Sequence, residues 1–379
     1  MSTSKKIRLY LNEERKATWL ELFFDLIFVV ALGKTTHLLS HTHHGHLEEG
    51  SWVRFIIVFI PLWWIWVGHT VFSNRFDADE RPHRLATLLL MFLLIILSVL
   101  INEDIGKNYQ LFIAVYSIAR LFIAGFYFLA SKDYPDNADY SKKRGFIFSI
   151  GALICLSAVL FPLPYASYIF YIGLAFDILS PFLFFRNTKH FPIDKDHLVE
   201  RVGLLAIILL GESIISLSQG IEGVDWETQT IVTAIVGFLL LCMIWWIYFD
   251  SFPFLLESKL DANGFAILYS QLMTYMAFAI LANAIRHAIL DDLVLIEFRI
   301  MALAGIVLFY LGKQTAYFFN VMEYRQPIIQ NTLITFVIVG ASLWLPSAQY
   351  ILIGICCSMG GYIVLNYFTQ LKLYGKASM

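Results

Sequence analysis

The sequence predicts an all-α protein, a polytopic transmembrane helix bundle of about 12 spans arranged as two parallel six-helix repeats. Three observations lead there. Hydrophobic residues make up 59% of the 379 and charged residues only 15%, with mean hydropathy +0.69; a single soluble core of this length cannot hide that much apolar surface. Apolar runs recur at the length needed to cross a bilayer, about 20 residues at 1.5 Å each. Lysine and arginine, finally, fall almost wholly on one side of those runs. The net charge of −2 offers no basic field for nucleic acid, so the lipid bilayer is the partner that composition names.

The runs lie near 19–39, 52–73, 84–101, 109–130, 145–162, 165–185, 197–219, 229–250, 263–285, 298–319, 328–345 and 348–370. Residues 1–18 are polar for too long to be a signal peptide and read as a cytoplasmic N-terminal segment, so the first span inserts by itself. The turns at Pro162–Pro164 and Leu345–Pro346 would also suit re-entrant hairpins, which makes ten to twelve the range. With the N-terminus inside, nineteen lysines and arginines occupy inner segments, and only Lys107 and Arg286 occupy outer loops. That asymmetry places both termini in the cytoplasm and predicts a multi-pass protein. It also supports the count, because dropping one span would invert every later loop.

Span 1 carries Glu21 and Asp25 in its first turns, four residues apart and so on one helical face. An acid at membrane depth is costly without a partner, a wet cavity or a proton. Asp25 and Thr36, eleven residues on, share a face, which suits a proton or cation path; the alternative is an acid satisfied by a neighbouring helix. Glu21, nearer the interface, reads first as structural. The loop that follows, HTHHGH, offers His41, His43, His44 and His46 as a weak metal candidate, short and without a fixed second shell. Span 2 holds His69 and a cluster of tryptophans, Trp63, Trp64 and Trp66, which read as packing and interfacial anchors. In the loop after it, Asp77 and Arg81 are spaced to pair.

Arg120 in span 4 and Asp177 in span 6 stand eleven and twelve residues past the outer starts of helices that run the same way. They should reach similar depth and pair. Span 7 carries Glu200 and Arg201 at its inner end and Glu212 two-thirds of the way across. Arg201 and Glu212 point the same way but lie about 16 Å apart along the axis, so each needs a partner elsewhere. Gly211 beside Glu212 would admit a close helix. Asn283, Arg286 and His287 in span 9, with Arg299 and Lys313 in span 10, complete the polar inventory. The cysteines, Cys155, Cys242, Cys356 and Cys357, all lie inside apolar runs and lack the spacing of a disulfide framework or zinc site.

Glu21, Gly33 and the cluster beginning at Trp63 are followed in the same order by Glu200, Gly211 and Trp245, Trp246 and Tyr248. This suggests two halves, 19–190 and 191–379, which run parallel because each has an even number of spans. Three segments, ELFFDLIFVVALGKTTHLL (21–39), RFDADERPHR (75–84) and HLVERVGLLAIILLGES (197–213), resemble signature stretches of the bacterial low temperature requirement A family, in both halves of the chain. The resemblance implies a polytopic inner-membrane protein associated with growth in the cold, and assigns it no chemistry.

Two classes of function follow from the charges. One is a transporter or channel for an unidentified ion or small solute, proton-linked, with Asp25, Glu212, Arg120 and Asp177 on its path and Glu21, Glu200, Arg201, His69 and Asp77 as secondary candidates. The other is a non-transporting scaffold or assembly factor, in which deep charges merely neutralise one another. No cofactor is expected, nor an enzyme, because no nucleophile with a placed base and no clustered metal set can be read. The substrate and an oligomeric state are left open.

Overall fold

In the computed structural model, residues 16–76, 81–101, 105–184, 191–222, 224–257 and 264–375 are described. Their helices are α1 (Trp19–His37), α2 (Ser51–Arg75), α3 (Arg81–Leu100), α4 (Ile105–Asp133), α5 (Ala138–Ser157), α6 (Tyr165–Phe184) and α7 (Lys195–Glu222). They continue with α8 (Thr228–Phe249), the short α9 (Phe252–Glu257), α10 (Phe265–Leu290), α11 (Leu295–Asn320), α12 (Arg325–Ser342) and α13 (Ala348–Tyr374). Apart from α9, each coincides with one of the apolar runs. Among the described residues nine helical segments, those of α2 to α6, α8, α10, α11 and α13, are long and apolar enough to cross a membrane. Charge sets α1 apart, with Glu21, Asp25 and Lys34, and α7, with Glu200, Arg201 and Glu212. α12 opens on a polar stretch containing Arg325, Gln326, Gln330 and Asn331.

Two compact units divide the described chain. The first takes in residues up to Thr35, Ile56–Arg201 and Gly264; the second takes in Thr36–Phe55, the rest of α7 with α8 and α9, and everything from Phe265 on. The changeover thus falls inside helices, at Thr35 and Arg201. The expected boundary at 190 lies outside the described residues. In the first unit α4 packs on α3 and α5, and α5 on α6. In the second, α10 and α11 form the most extensive pair, and α13 lies against α8 and α12. Large apolar side chains remain on the outside, among them Leu85, Val99, Ile172, Val337 and Phe368, as a lipid-facing surface requires.

Local chemistry explains where key elements begin and bend. Thr18 and Glu21 form a capping box: the Glu21 carboxylate accepts from the Thr18 amide at 2.8 Å, and Thr18 Oγ1 accepts from the Glu21 amide at 3.3 Å. Asp194 caps α7, its Oδ1 accepting from the His197 amide at 3.1 Å. Pro61, inside α2, cannot donate to the carbonyl of Ile57, and that carbonyl instead accepts the Tyr171 hydroxyl at 3.0 Å.

The HTHHGH segment corrects the sequence reading, which took it as a loop without fixed surroundings. It is a two-stranded hairpin, β1 (Thr42–His43) against β2 (His46–Leu47). His44 and Gly45 at φ 54° and 84° make the two-residue turn that suits strand twist. The hairpin is clamped onto the loop between α10 and α11. Val294 donates its amide to the Gly45 carbonyl at 2.7 Å, Glu297 accepts from His46 and from the Leu47 amide, and Thr42 donates to Asp292. The end of α1 enters the same clamp: the carbonyls of Thr36, Leu39 and Ser40 accept from Asn283, His287 and Arg286 of α10. Groups that a helix end leaves unsatisfied are thereby paired, with basic side chains at the negative end of the α1 dipole.

Asp292 is one of the two acids of this clamp, with Glu297, and lies 2.6 Å from His287 Nδ1. Burial acts to raise its carboxyl, but the hydrogen bond from His287, the charges of His287 and Arg286 and the Thr42 hydroxyl together hold it below the usual aspartate value. A lowered folded-state value stabilises the clamp at every pH above the ordinary carboxyl value of about 3.9, and that contribution is lost as pH falls through the lowered value. The protection of the Val294 amide, after division by its intrinsic exchange rate at each pH, should therefore stay constant from neutral pH to about 4 and fall only below it, whereas Asp292→Asn should lower it at neutral pH. Loss of protection already near neutrality in the wild type would refute this.

The charge bias makes a topological prediction testable at exposed positions on either side. The Lys142–Arg144 basic cluster lies in the first turns of α5, where Lys142 is exposed and Arg144 buried. A cysteine at Glu49, beside the hairpin, should react with a membrane-impermeant maleimide in intact cells, and one at Lys142 only after permeabilisation. The reverse pattern would invert the orientation.

Candidate functional site

The first unit buries one cluster of charge at the N-terminal ends of α1 and α7. Arg201 is fully buried and donates to Asp25 through two nitrogens, Nη2 to Oδ1 at 2.6 Å and Nε to Oδ2 at 3.1 Å. Its Nη1 stands 2.9 Å from Glu21 Oε1 and reaches Ser73 at 3.4 Å. Asp25 also accepts from the Trp66 indole at 2.8 Å, and the Trp66 ring stacks on Trp63 with centroids 4.7 Å apart. Each group gains from the others, since a fork of donors on a carboxylate in a dry site is among the stronger hydrogen-bonded pairs.

His197 extends the cluster. Its Nε2 lies 3.3 Å from Glu21 Oε2, and its Nδ1 lies 3.1 Å from Asn74 Nδ2. The Asp194 backbone fixes the Asn74 amide: Asp194 N donates to Asn74 Oδ1 at 2.8 Å, and Asn74 Nδ2 donates to Asp194 O at 2.8 Å. Asn74 therefore presents a donor to His197 Nδ1, which accepts, and the imidazole carries its proton on Nε2, directed at Glu21. The result is two carboxylates, one guanidinium and a histidine held in one tautomer. Close by, His69 is buried and stacked on Phe24 at 3.9 Å, with no hydrogen-bond partner for either ring nitrogen.

These contacts refine the sequence expectations. Asp25, which has no basic partner in its own helix, is satisfied from a neighbouring one by Arg201, whose position 176 residues further along the chain hides the pairing from any single-helix reading. Glu21 is as buried as Asp25 and shares the same arginine. Trp66 is a hydrogen-bond donor to the acid as well as packing. Glu200 is half-buried and accepts from the Ala17 amide at 3.0 Å. Glu212 is half-buried on α7 in the second unit, and among the described residues a Cβ at Gly211 would meet nothing within 4 Å. Asp77 lies outside the described residues. Among the described residues no three His, Cys, Asp or Glu side chains are placed to share a metal ion, and of the hairpin imidazoles His46 is instead bonded to Glu297. Three participants were missed in the sequence: His197, Asn74 and Ser73. The Thr18-x-x-Glu21 capping signal would have marked one end of the site, and Asn74, a polar residue in the inner end of an apolar helix, the other.

Arg120 and Asp177 do meet. Arg120 Nε donates to Asp177 Oδ2 at 2.7 Å, Nη2 lies 2.6 Å from the same oxygen, and Nη1 donates to the Trp64 carbonyl at 3.0 Å. The Phe148 ring covers the guanidinium at 5.0 Å. Two glycines make the room: a Cβ at Gly68 would run into Arg120 Nη1, and one at Gly151 would stand 3.1 Å from Asp177 Cβ. Removing one partner of a buried pair strands the other charge, at a cost of about 3–5 kcal/mol. Asp177→Asn should lower unfolding stability in detergent by that order, and Arg120→Met combined with Asp177→Asn should recover part of it. Strict additivity of the two changes would show that the pair is not coupled.

A sequence profile described as bacterial low temperature requirement A protein (LtrA) matches residues 16–365. An uncharacterized protein of Rhizobium meliloti (strain 1021) is 26% identical over 329 residues, covering 79% of this chain and 77% of its own. The profile takes in α1 to α12 and most of α13, including every residue of the Glu21, Asp25 and Arg201 cluster, and the chain belongs to the bacterial low temperature requirement A family.

Proposed function

We propose that this protein is a transporter or channel of the bacterial cytoplasmic membrane, both termini inside, which moves an ion or small solute with proton linkage at Glu21, Asp25 and Arg201. One observation carries the reading: two buried carboxylates share one guanidinium, while the Asn74 contact leaves His197 a donor to Glu21 with its other nitrogen occupied. That arrangement holds one negative charge in surplus. A proton or a small cation cancels it, and gain or loss of such a charge at depth is the step on which ion-coupled membrane proteins run. The same reading takes the twelve long helices as spans of two parallel repeats, with α1 and α7 as related helices, and assigns no enzymatic step.

Arg120 and Asp177 favour the second reading, a scaffold or assembly factor supporting growth in the cold, because they balance one for one and leave no surplus. The two readings separate at Glu21. Glutamine there keeps the capping box and leaves Asp25 and Arg201 as a balanced pair, so it imitates the neutralised cluster with the fold intact. In proteoliposomes under a pH gradient, with a panel of cations and small solutes, wild type should show pH-dependent flux, and Glu21→Gln should show flux that no longer responds to pH. Asp25→Asn should instead unfold more readily, since it costs Arg201 its forked partner. A full pH response in well-expressed Glu21→Gln would make the cluster structural and the scaffold the better reading.

A further inference from the structure

The second unit buries a cation that neither reading uses. Lys313, on α11, is 1% exposed, and its ammonium makes one hydrogen bond, to Ser251 Oγ at 3.1 Å. No carboxylate among the described residues lies within ion-pair distance of it. Asp250 acts on it only through space, and the Asp250 Oδ2 oxygen already accepts from Asn366 at 2.8 Å and Gln370 at 2.6 Å. The faces of Tyr317 and Tyr362 lie 5.0 and 5.5 Å from Nζ, a cation–π setting that eases burial of the charge without supplying hydrogen bonds. An ammonium has three donors, so two remain unspent.

The surroundings are rich in donors as well. The hydroxyls of Tyr310 and Tyr317, three residues before and four after Lys313 on the same helix, are buried without a hydrogen bond of normal geometry, Tyr310 facing the side chain of Thr335. Tyr310 packs on Tyr362 with ring centroids 5.0 Å apart. Tyr362 accepts from Gln314 Nε2 at 2.7 Å and Ser251 accepts from Lys313, so each of these two hydroxyls keeps a proton to donate. Gln314 Oε1 is an unpartnered atom of this group that can only accept. Buried polar atoms in native proteins are nearly always satisfied, and a group this unbalanced toward donors calls for a ligand that accepts.

We propose that Lys313 anchors a binding site for a small carboxylate anion, with Ser251 and the hydroxyls of Tyr310, Tyr317 and Tyr362 as its further donors. A carboxylate offers two oxygens and about four acceptor positions to a set of this kind and supplies the charge that Lys313 lacks. The site is independent of the Glu21 cluster, and its test needs no transport. Sodium acetate and sodium chloride are titrated separately, at constant ionic strength, into the purified full-length protein in detergent, while its thermal unfolding midpoint is followed. Wild type should gain stability saturably with acetate. Lys313→Met should show no acetate-dependent gain, and Tyr317→Phe, which keeps the ring and loses the donor, should need several-fold more acetate for the same gain while unfolding normally without it. Should Lys313→Met fail to fold, Tyr317→Phe decides. A wild type indifferent to both salts, a response to chloride alone, or variants that respond like wild type would each overturn the site.

Discussion

A charge taken into a hydrocarbon slab is costly unless another charge or a set of polar groups answers it at the same depth, and in the first unit that constraint bears on which helices must touch. Arg201 reaches from α7 to two acids on α1, and Arg120 reaches from α4 to Asp177 on α6. Apolar contact between lipid-bathed helices has little preference for one register over another, since the tails are as apolar as leucine. A forked bond at 2.6–3.1 Å has a strict one. Neighbouring details then follow from the pairs: glycine at 68 and 151, where a side chain would enter the space of Arg120 or Asp177, and tryptophan at 66, where an indole donor completes the coordination of Asp25.

Much of the fold was legible because bilayer thickness makes hydrophobic length a strong signal. All twelve apolar runs became helices, including those on either side of Pro162–Pro164 and Leu345–Pro346, and the family followed from three short segments. Arg120 and Asp177 were legible too, because equal depth on helices running the same way is arithmetic. Asp25 was not. Its partner stands in another helix, nearly half the chain away, and depth alone could not separate Arg201 from other candidates. His197 and Asn74 escaped for a different reason, since a histidine or an asparagine near a helix end reads as interfacial until its partners are known. Short-range turn chemistry, with φ positive at His44 and Gly45, was the signal that the histidine-rich loop is a hairpin.

The Arg120 and Arg201 groups of the first unit obey the same physics and reach different totals. At Arg120 one guanidinium faces one carboxylate, and further donors or acceptors merely complete the shell. At Arg201 one guanidinium faces two, and the nearest imidazole has its second nitrogen committed to Asn74. The amide of Asn74 cannot turn over to accept a proton from that nitrogen without breaking both of its bonds to the Asp194 backbone, and Asp194 is itself the cap of α7. The protonation pattern of the cluster is thus tied to the start of the helix that carries Arg201. Hydrogen bonds run from Glu21 to His197, from His197 to Asn74 and from Asn74 to the Asp194 backbone. Under the proposed proton or cation linkage, this is the path by which a charge change at Glu21 would reach the helix cap, and its hydrogen bonds are all 3.3 Å or less.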